Sequence, residues 1–247
     1  MKKNNKITLL IMILGLTSFL VGSCKKDNGK YPTSKVSGAF LYNGQPLRLL
    51  GSNNGAVQLQ QTGGPSAPYT VGVLTAYAKA DGTYSIVTFD GDYTINATQN
   101  KGPFVQPAPI NVSLNGEAKD VNFNVTPYFW VSNYQTSYVG GVFKATFKLE
   151  KTAPSTVTVN LNNVALMFGP TNIVDETSKG LEKTFTTTSG VNVINIGGNC
   201  SVQVDLNALT ANEKAAMAGR TGQVYANLAI RNSVSTNALY QIPVRVY

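Results

Sequence analysis

The sequence predicts an all-β chain of two consecutive β-sandwich domains, and three observations carry that expectation. Apolar and polar residues alternate in short runs from Val36 onward. Gly, Asn and Asp separate these runs, as turns separate the strands of a sandwich. A single segment, opened by Thr210-Ala211-Asn212-Glu213, has the pattern of a helix start.

The first series of runs spans residues 35–126. Val36, Gly38 and Phe40 alternate, and Asn43-Gly44 follows as a hairpin signal. Val57 and Leu59 begin the next run, and Tyr69, Val71, Val73, Thr75 and Tyr77 hold period two. Asp81-Gly82 turns the chain into Tyr84, Ile86 and Thr88. Gly91 turns it again into Tyr93, Ile95 and Ala97. Ile110, Val112 and Leu114, the turn Asn115-Gly116, and Val121, Phe123 and Val125 complete about seven strands.

The phrases Val36-Ser37-Gly38, Asn43-Gly44-Gln45-Pro46-Leu47, Asp81-Gly82-Thr83-Tyr84 and Gly91-Asp92-Tyr93 occur in order. In this the region resembles the transthyretin-like, carboxypeptidase-regulatory domain. Residues 49–68 depart from that pattern. They are rich in Gly, Gln and Ser and are expected to form an extended loop.

Pro127 marks a domain boundary, followed at once by Tyr128-Phe129-Trp130. In the second domain Phe143, Ala145, Phe147 and Leu149 line one strand face, and Lys144, Thr146, Lys148 and Glu150 line the other. Further runs are Val157 to Leu161, Val164 to Phe168, Val191 to Ile196, Val202 to Leu206 and Val224 to Ile230. The last run holds Tyr240, Ile242, Val244 and Val246, with Pro243 inside it, the mark of an edge strand. Thr210 and Glu213 have capping-box spacing, and Gly219 is placed to end the helix. Residues 127–247 are therefore expected to form an immunoglobulin or fibronectin-III-like sandwich with one short helix.

Residues 1–23 have the form of a secretory signal. Lys2, Lys3 and Lys6 precede the apolar residues 7–21, and Val21-Gly22-Ser23-Cys24 resembles a bacterial lipobox. On that reading Cys24 becomes the first mature residue and carries the lipid. Residues 24–34 then act as a polar tether. Several acyl chains anchor far more firmly than one.

Composition excludes several chemistries. The 247-residue chain has no histidine, so histidine triads, bases and metal ligands are ruled out. Two cysteines cannot build a Cys-rich zinc site, and no metal or other cofactor is expected. Loss of residues 1–23 removes three lysines and lowers the formal charge from +8 to +5. The remaining lysines are scattered, so nucleic acid is not an expected partner. Cys200, with Cys24 acylated, has no intramolecular partner and is expected as a buried small apolar residue.

The order of lipobox, transthyretin-like domain, Pro-Tyr-Phe-Trp junction and second sandwich resembles a family of two-domain Bacteroidota lipoproteins of unknown function. Its members are often encoded beside SusC/SusD-type glycan-uptake systems. The resemblance implies an accessory, non-catalytic protein on the outer membrane, facing the cell surface rather than the periplasm. It implies polysaccharide and SusC/SusD-type proteins as partners. Tyr128, Trp130, Asn133, Tyr134 and Tyr138 form the candidate glycan-binding group, because aromatic faces stack on sugar rings and amides bond their hydroxyls. Packing of Trp130 at the domain joint is the competing expectation. Residues 51–68, with Asn53, Asn54, Gln58, Gln60 and Gln61, are a second candidate.

Two other functional classes remain open on the residues alone. A structural or adhesion subunit would associate through sheet edges, with residues 240–247 as the strand to test. A hydrolase would need two facing carboxylates, and Asp175-Glu176 has no identified partner. Asp81, Asp90 and Asp92 lack the order of a calcium loop and are expected as turn residues.

Overall fold

The computed structural model describes residues 31–50, 55–64 and 72–247. The signal segment, Cys24, the tether through Lys30, Asn53, Asn54, Tyr69 and Val71 lie outside the described residues. Thr33–Tyr247 makes one compact unit.

The hub of the first sandwich is β1 (Ser34–Tyr42). It pairs antiparallel with β2 (Gln45–Pro46) and β5 (Thr83–Thr88). It pairs parallel with β9 (Glu117–Ala118) and β10 (Phe123–Asn124). The sequence explains the tight β1–β2 hairpin: Asn43 and Gly44 have φ of 50° and 76°, the two positive values a type I′ turn needs. Gly38 explains the close approach of the returning chain. A Cβ there would stand 1.9 Å from the Val121 carbonyl oxygen, which accepts the Tyr84 hydroxyl. The facing sheet runs β4 (Leu74–Tyr77), β3 (Ala56–Gly63), β6 (Gly91–Ala97), β8 (Ile110–Leu114), all antiparallel. Phe40 fills the space between the sheets, with ring centroids 5.0 Å from Phe104 and 5.2 Å from Phe123.

The expected loop over residues 49–68 is corrected here. Its central part is β3, hydrogen-bonded on both sides. Val57 and Leu59 point into the core, while Gln60 and Thr62 lie exposed. Glutamines occupy strand positions with solvated side chains, so polar composition alone misleads there.

A short pair, β7 (Phe104–Val105) with β11 (Thr126–Pro127), joins the two sandwiches. The second sandwich has one sheet of β12 (Phe129–Val139), β13 (Val142–Lys151) and β16 (Gly198–Asp205). Its other sheet runs β15 (Leu181–Phe185), β14 (Leu161–Gly169), β17 (Tyr225–Asn232). Short β18 (Leu239–Tyr240) and β19 (Val244–Arg245) share the far side of β17, split around Pro243. Residues 157–159 are not a strand, although Val159 is buried. Residues 191–196 make only isolated bridges, to Ser189, Ser201 and Leu149, and Val191 and Ile196 are exposed.

The helix α1 (Ala211–Ala218) starts with the complete capping box. Glu213 accepts from Lys183 and from the Thr210 backbone, contacts that hold its carboxyl down to about 2. Met217 is buried beneath it and docks the helix on the sandwich.

Every residue of β14 from Val164 to Phe168 is fully buried, on both faces of its sheet. The cause is a second apolar cluster. Leu50 packs with Ala165, Met167, Ala229 and Tyr240, and the Tyr240 amide donates to the Arg48 carbonyl. The first domain thus caps the outer face of the second.

A network of four charges ties the 170–180 segment to that same sheet. Arg231 bonds Glu176 and Glu182, each at 2.5 Å, and Lys179 bonds both carboxylates as well. Burial raises the pKa of each glutamate, but the hydrogen bonds from Lys179 and Arg231 outweigh it and leave both below the ordinary range. The stability they add is therefore full above the ordinary carboxylate pKa of about 4.3 and falls away as pH drops through the lowered folded values. Arg231→Met should cost on the order of 1 kcal/mol at pH 7, after discount for solvent screening. Urea unfolding at pH 7 and pH 3 tests this: the gap between wild type and variant should narrow at pH 3.

Candidate functional site

The three-stranded sheet of the second sandwich has two unlike faces, set by the ladder register. Residues paired across a ladder share a face. Val131 pairs with Leu149, Thr136 with Ala145 and Val202, and Tyr138 with Phe143 and Val204. This is the core face. Trp130 pairs with Glu150, Ser132 with Lys148 and Asn199, Gln135 with Thr146 and Ser201, and Ser137 with Lys144 and Gln203. This is the outer face, and it is polar apart from Trp130 at one end and the Val139–Val142 pair at the other.

A bulge breaks β12 between Ser132 and Gln135, where Asn133 and Tyr134 together oppose Phe147. Asn133 takes the extra position with φ of 54°, a left-handed conformation that asparagine tolerates better than most residues. The bulge does two things. It turns Tyr134 to the core side, and it lifts Asn133 clear of the ladder.

A groove of about 490 Å³ opens beside the bulge. Asn133, Lys144, Thr146, Asn199 and Ser201 supply its polar lining, and Val193 forms an apolar wall. The wall is held by two backbone hydrogen bonds between Val193 and Ser201, at 2.7 and 2.8 Å. The Ser201 hydroxyl is closed to solvent and has no hydrogen-bond partner among the described residues. The lining offers amides and hydroxyls, each able to donate or accept, and one ammonium. Gln203, next along β16, lines a second cleft of about 400 Å³ with Lys183 and Thr184.

The five aromatic and amide residues expected to form one site are not brought together. Asn133 lines the groove. Trp130 stands on the same face three positions away, half-buried, and its ring meets Tyr42 edge-on at 5.2 Å. Trp130 thus packs against Tyr42 of the first domain and also borders the outer face. Tyr128 is buried in the core. Tyr134 lies on the core side, where burial drives its hydroxyl pKa up. Tyr138 lies on the core-side register near the strand end, in ring contact with Tyr247 at 5.8 Å. Consecutive aromatics in a strand alternate between faces, and the bulge shifts that alternation by one.

Lys144, Thr146, Asn199 and Ser201 were not singled out by sequence reasoning. The first two were legible as solvent-face residues of a half-buried strand. Gly140-Gly141, with φ of 60° and 86°, was the signal for β12 itself, since it closes a two-residue hairpin between β12 and β13. Asn199 and Ser201 flank buried Cys200 and gave no signal beyond alternation. Burial pushes the Cys200 thiol pKa up, and backbone contacts with Asn195 hold its Sγ.

The acidic residues are committed locally. Asp81 caps its turn by accepting from Thr83, and Asp175 accepts from Thr177 and Ser178. Glu176 belongs to the charge network. Among the described residues, no group of three or more His, Cys, Asp or Glu side chains could hold a metal ion.

Two family models match this architecture, the N-terminal domain of DUF3823, a protein of unknown function, over residues 34–126, and the C-terminal domain, also of unknown function, over 129–240. The chain belongs to the DUF3823 family. A crystal structure of a DUF3823 protein from Parabacteroides merdae is 26% identical, with a TM-score of 0.72 over 88% of this chain and 100% of that one. A DUF3823 protein from Bacteroides ovatus shares the fold at 22% identity, with a TM-score of 0.68 over 86% and 97% of the two chains. A proposed carbohydrate-binding protein from Bacteroides uniformis shares it at 19% identity, with a TM-score of 0.65 over 87% and 99%. No curated protein is close enough to match.

Asn133 should tolerate glycine far better than a branched residue, because its φ is left-handed. Asn133→Gly should leave stability within about 0.5 kcal/mol, whereas Asn133→Val should lose about 1–2 kcal/mol. Chemical denaturation of the two variants checks the bulge directly.

Proposed function

We propose that this DUF3823 protein is a lipid-anchored, non-catalytic accessory of a polysaccharide-uptake system, and that it binds glycan on the outer face of β12, β13 and β16. The observation that carries the reading is the groove at Asn133. A saccharide needs many adaptable hydrogen-bond partners on a rigid support, with an aromatic face nearby. The lining of Asn133, Thr146, Asn199 and Ser201, with Trp130 bordering the same face, has that chemistry. The absence of histidine from the sequence, and the local commitment of Asp81, Asp175, Glu176 and Glu182, favour binding over catalysis. The description of the Bacteroides uniformis relative points the same way.

The anchor is the second part of the proposal. Lys2, Lys3, Lys6, the apolar residues 7–21 and Gly22-Ser23-Cys24 support lipid attachment at Cys24. Outer-membrane attachment facing the cell surface, with SusC/SusD-type proteins as neighbours, follows from the family resemblance.

Affinity electrophoresis of residues 25–247 through a panel of polysaccharides tests the binding. At least one polymer should retard the protein, and Asn133→Gly or Trp130→Ala should reduce that retardation several-fold. Retardation by none would overturn the glycan reading. In cells, Cys24→Ser should abolish incorporation of labelled palmitate and release the protein from the membrane fraction.

A further inference from the structure

We propose that the groove selects saccharides bearing an anionic group, a carboxylate or a sulfate, over neutral ones. The inference rests on the glycan reading above and names the ligand class of that same site. Lys144 is the only charged side chain in the groove lining. It is exposed and has no ion-pair partner among the described residues. The contrast with its neighbour on the same strand face is direct: Lys148 is paired with Glu150. Asp205, opposite Val142 on the same face, accepts from the Asn207 amide and lies outside the groove lining, so the one charge in the lining itself is positive.

The surrounding groups fit the same ligand. The Asn133 and Asn199 amides and the Thr146 and Ser201 hydroxyls can all donate, and a carboxylate or sulfate only accepts. The Ser201 hydroxyl lacks a protein partner and lies in the lining beside Lys144. No carboxylate lines the groove to repel an anion. A neutral sugar would use the amides and hydroxyls and leave the ammonium with water alone. An anionic sugar would use both, and a charge-assisted hydrogen bond is about twice as strong as a neutral one.

The test compares three polymers in affinity electrophoresis and titration with residues 25–247: dextran, dextran sulfate and polygalacturonate. At least one anionic polymer should bind roughly tenfold more tightly than dextran, the size of one charge-assisted hydrogen bond. Polygalacturonate alone would identify a carboxylate ligand, and dextran sulfate alone a sulfate. Lys144→Gln should erase the preference for the anionic polymer over dextran, and Lys144→Arg should restore most of it. Lys101→Gln removes the same charge from the other domain and should change nothing. Equal losses in Lys101→Gln and Lys144→Gln would overturn the proposal in favour of general polyelectrolyte attraction. Dextran bound as well as either acidic polymer would overturn the proposal and leave the glycan reading standing. Binding to none of the three, with a neutral polysaccharide of another linkage retained, would do the same. Failure across the whole polysaccharide panel would overturn both.

Discussion

The apolar core does not stop at the domain boundary, and the rest of the structure depends on that continuity. Phe104, Val125, Tyr128 and Phe129 belong to one buried cluster that extends from Val36 in the first sandwich to Leu228 in the second. No solvated linker separates the sandwiches: Val125, Pro127, Tyr128 and Phe129 are all buried. A domain pair joined by a polar linker is expected to move. Here hinge motion would expose aromatic surface at a cost of about 25 cal/mol per Å². The Leu50 and Tyr240 contact on the far sheet adds a second attachment. Two attachments, on different strands, remove the rotation that one would leave.

Rigidity at the joint reaches the candidate site through β12. That strand leaves the core at Phe129, holds Trp130 against Tyr42 of the first domain, and arrives three residues later at the bulge. The groove is thus built on elements fixed from both ends. A preformed polar surface loses little side-chain and backbone freedom on binding, which suits a weakly hydrophobic ligand such as a sugar.

Much of this was legible in the sequence, for a physical reason. Period two is a direct consequence of strand geometry, so Val36 to Phe40, Tyr84 to Thr88 and Phe143 to Leu149 declare their faces without any tertiary information. Asn43-Gly44 declares its turn because few residues accept positive φ. The capping box at Thr210 is equally local. What stayed hidden depends on distant partners or on broken alternation. The Gln-rich β3 is a strand because β4 and β6 flank it. The run of residues 191–196 alternates well but has only isolated bridges to hold it, and Val191, Val193 and Ile196 face outward. The aromatic set from Tyr128 to Tyr138 read as one cluster because the bulge that splits it between faces has no sequence signature beyond a lone asparagine.

That asparagine is where the local rules and the fold disagree, and the disagreement has content. An uninterrupted β12 would keep Tyr134 on the same face as Trp130 and would leave no recess beside Phe147. The left-handed residue costs on the order of 1 kcal/mol relative to extended backbone. In return the bulge hides a tyrosine and opens a groove whose lining includes the unpaired Lys144. Elsewhere in this domain Arg231, Lys179, Lys183 and Lys148 meet carboxylates, whereas Lys144 stands in the groove lining with no ion-pair partner among the described residues. Strained backbone, a solvent-shielded hydroxyl with no protein partner and an uncompensated cation coincide at one place on the sheet. Stability alone explains none of the three, since a regular strand with a paired lysine would be the simpler fold. A ligand that accepts hydrogen bonds and carries negative charge accounts for the cation directly, and the bulge is what makes room for it.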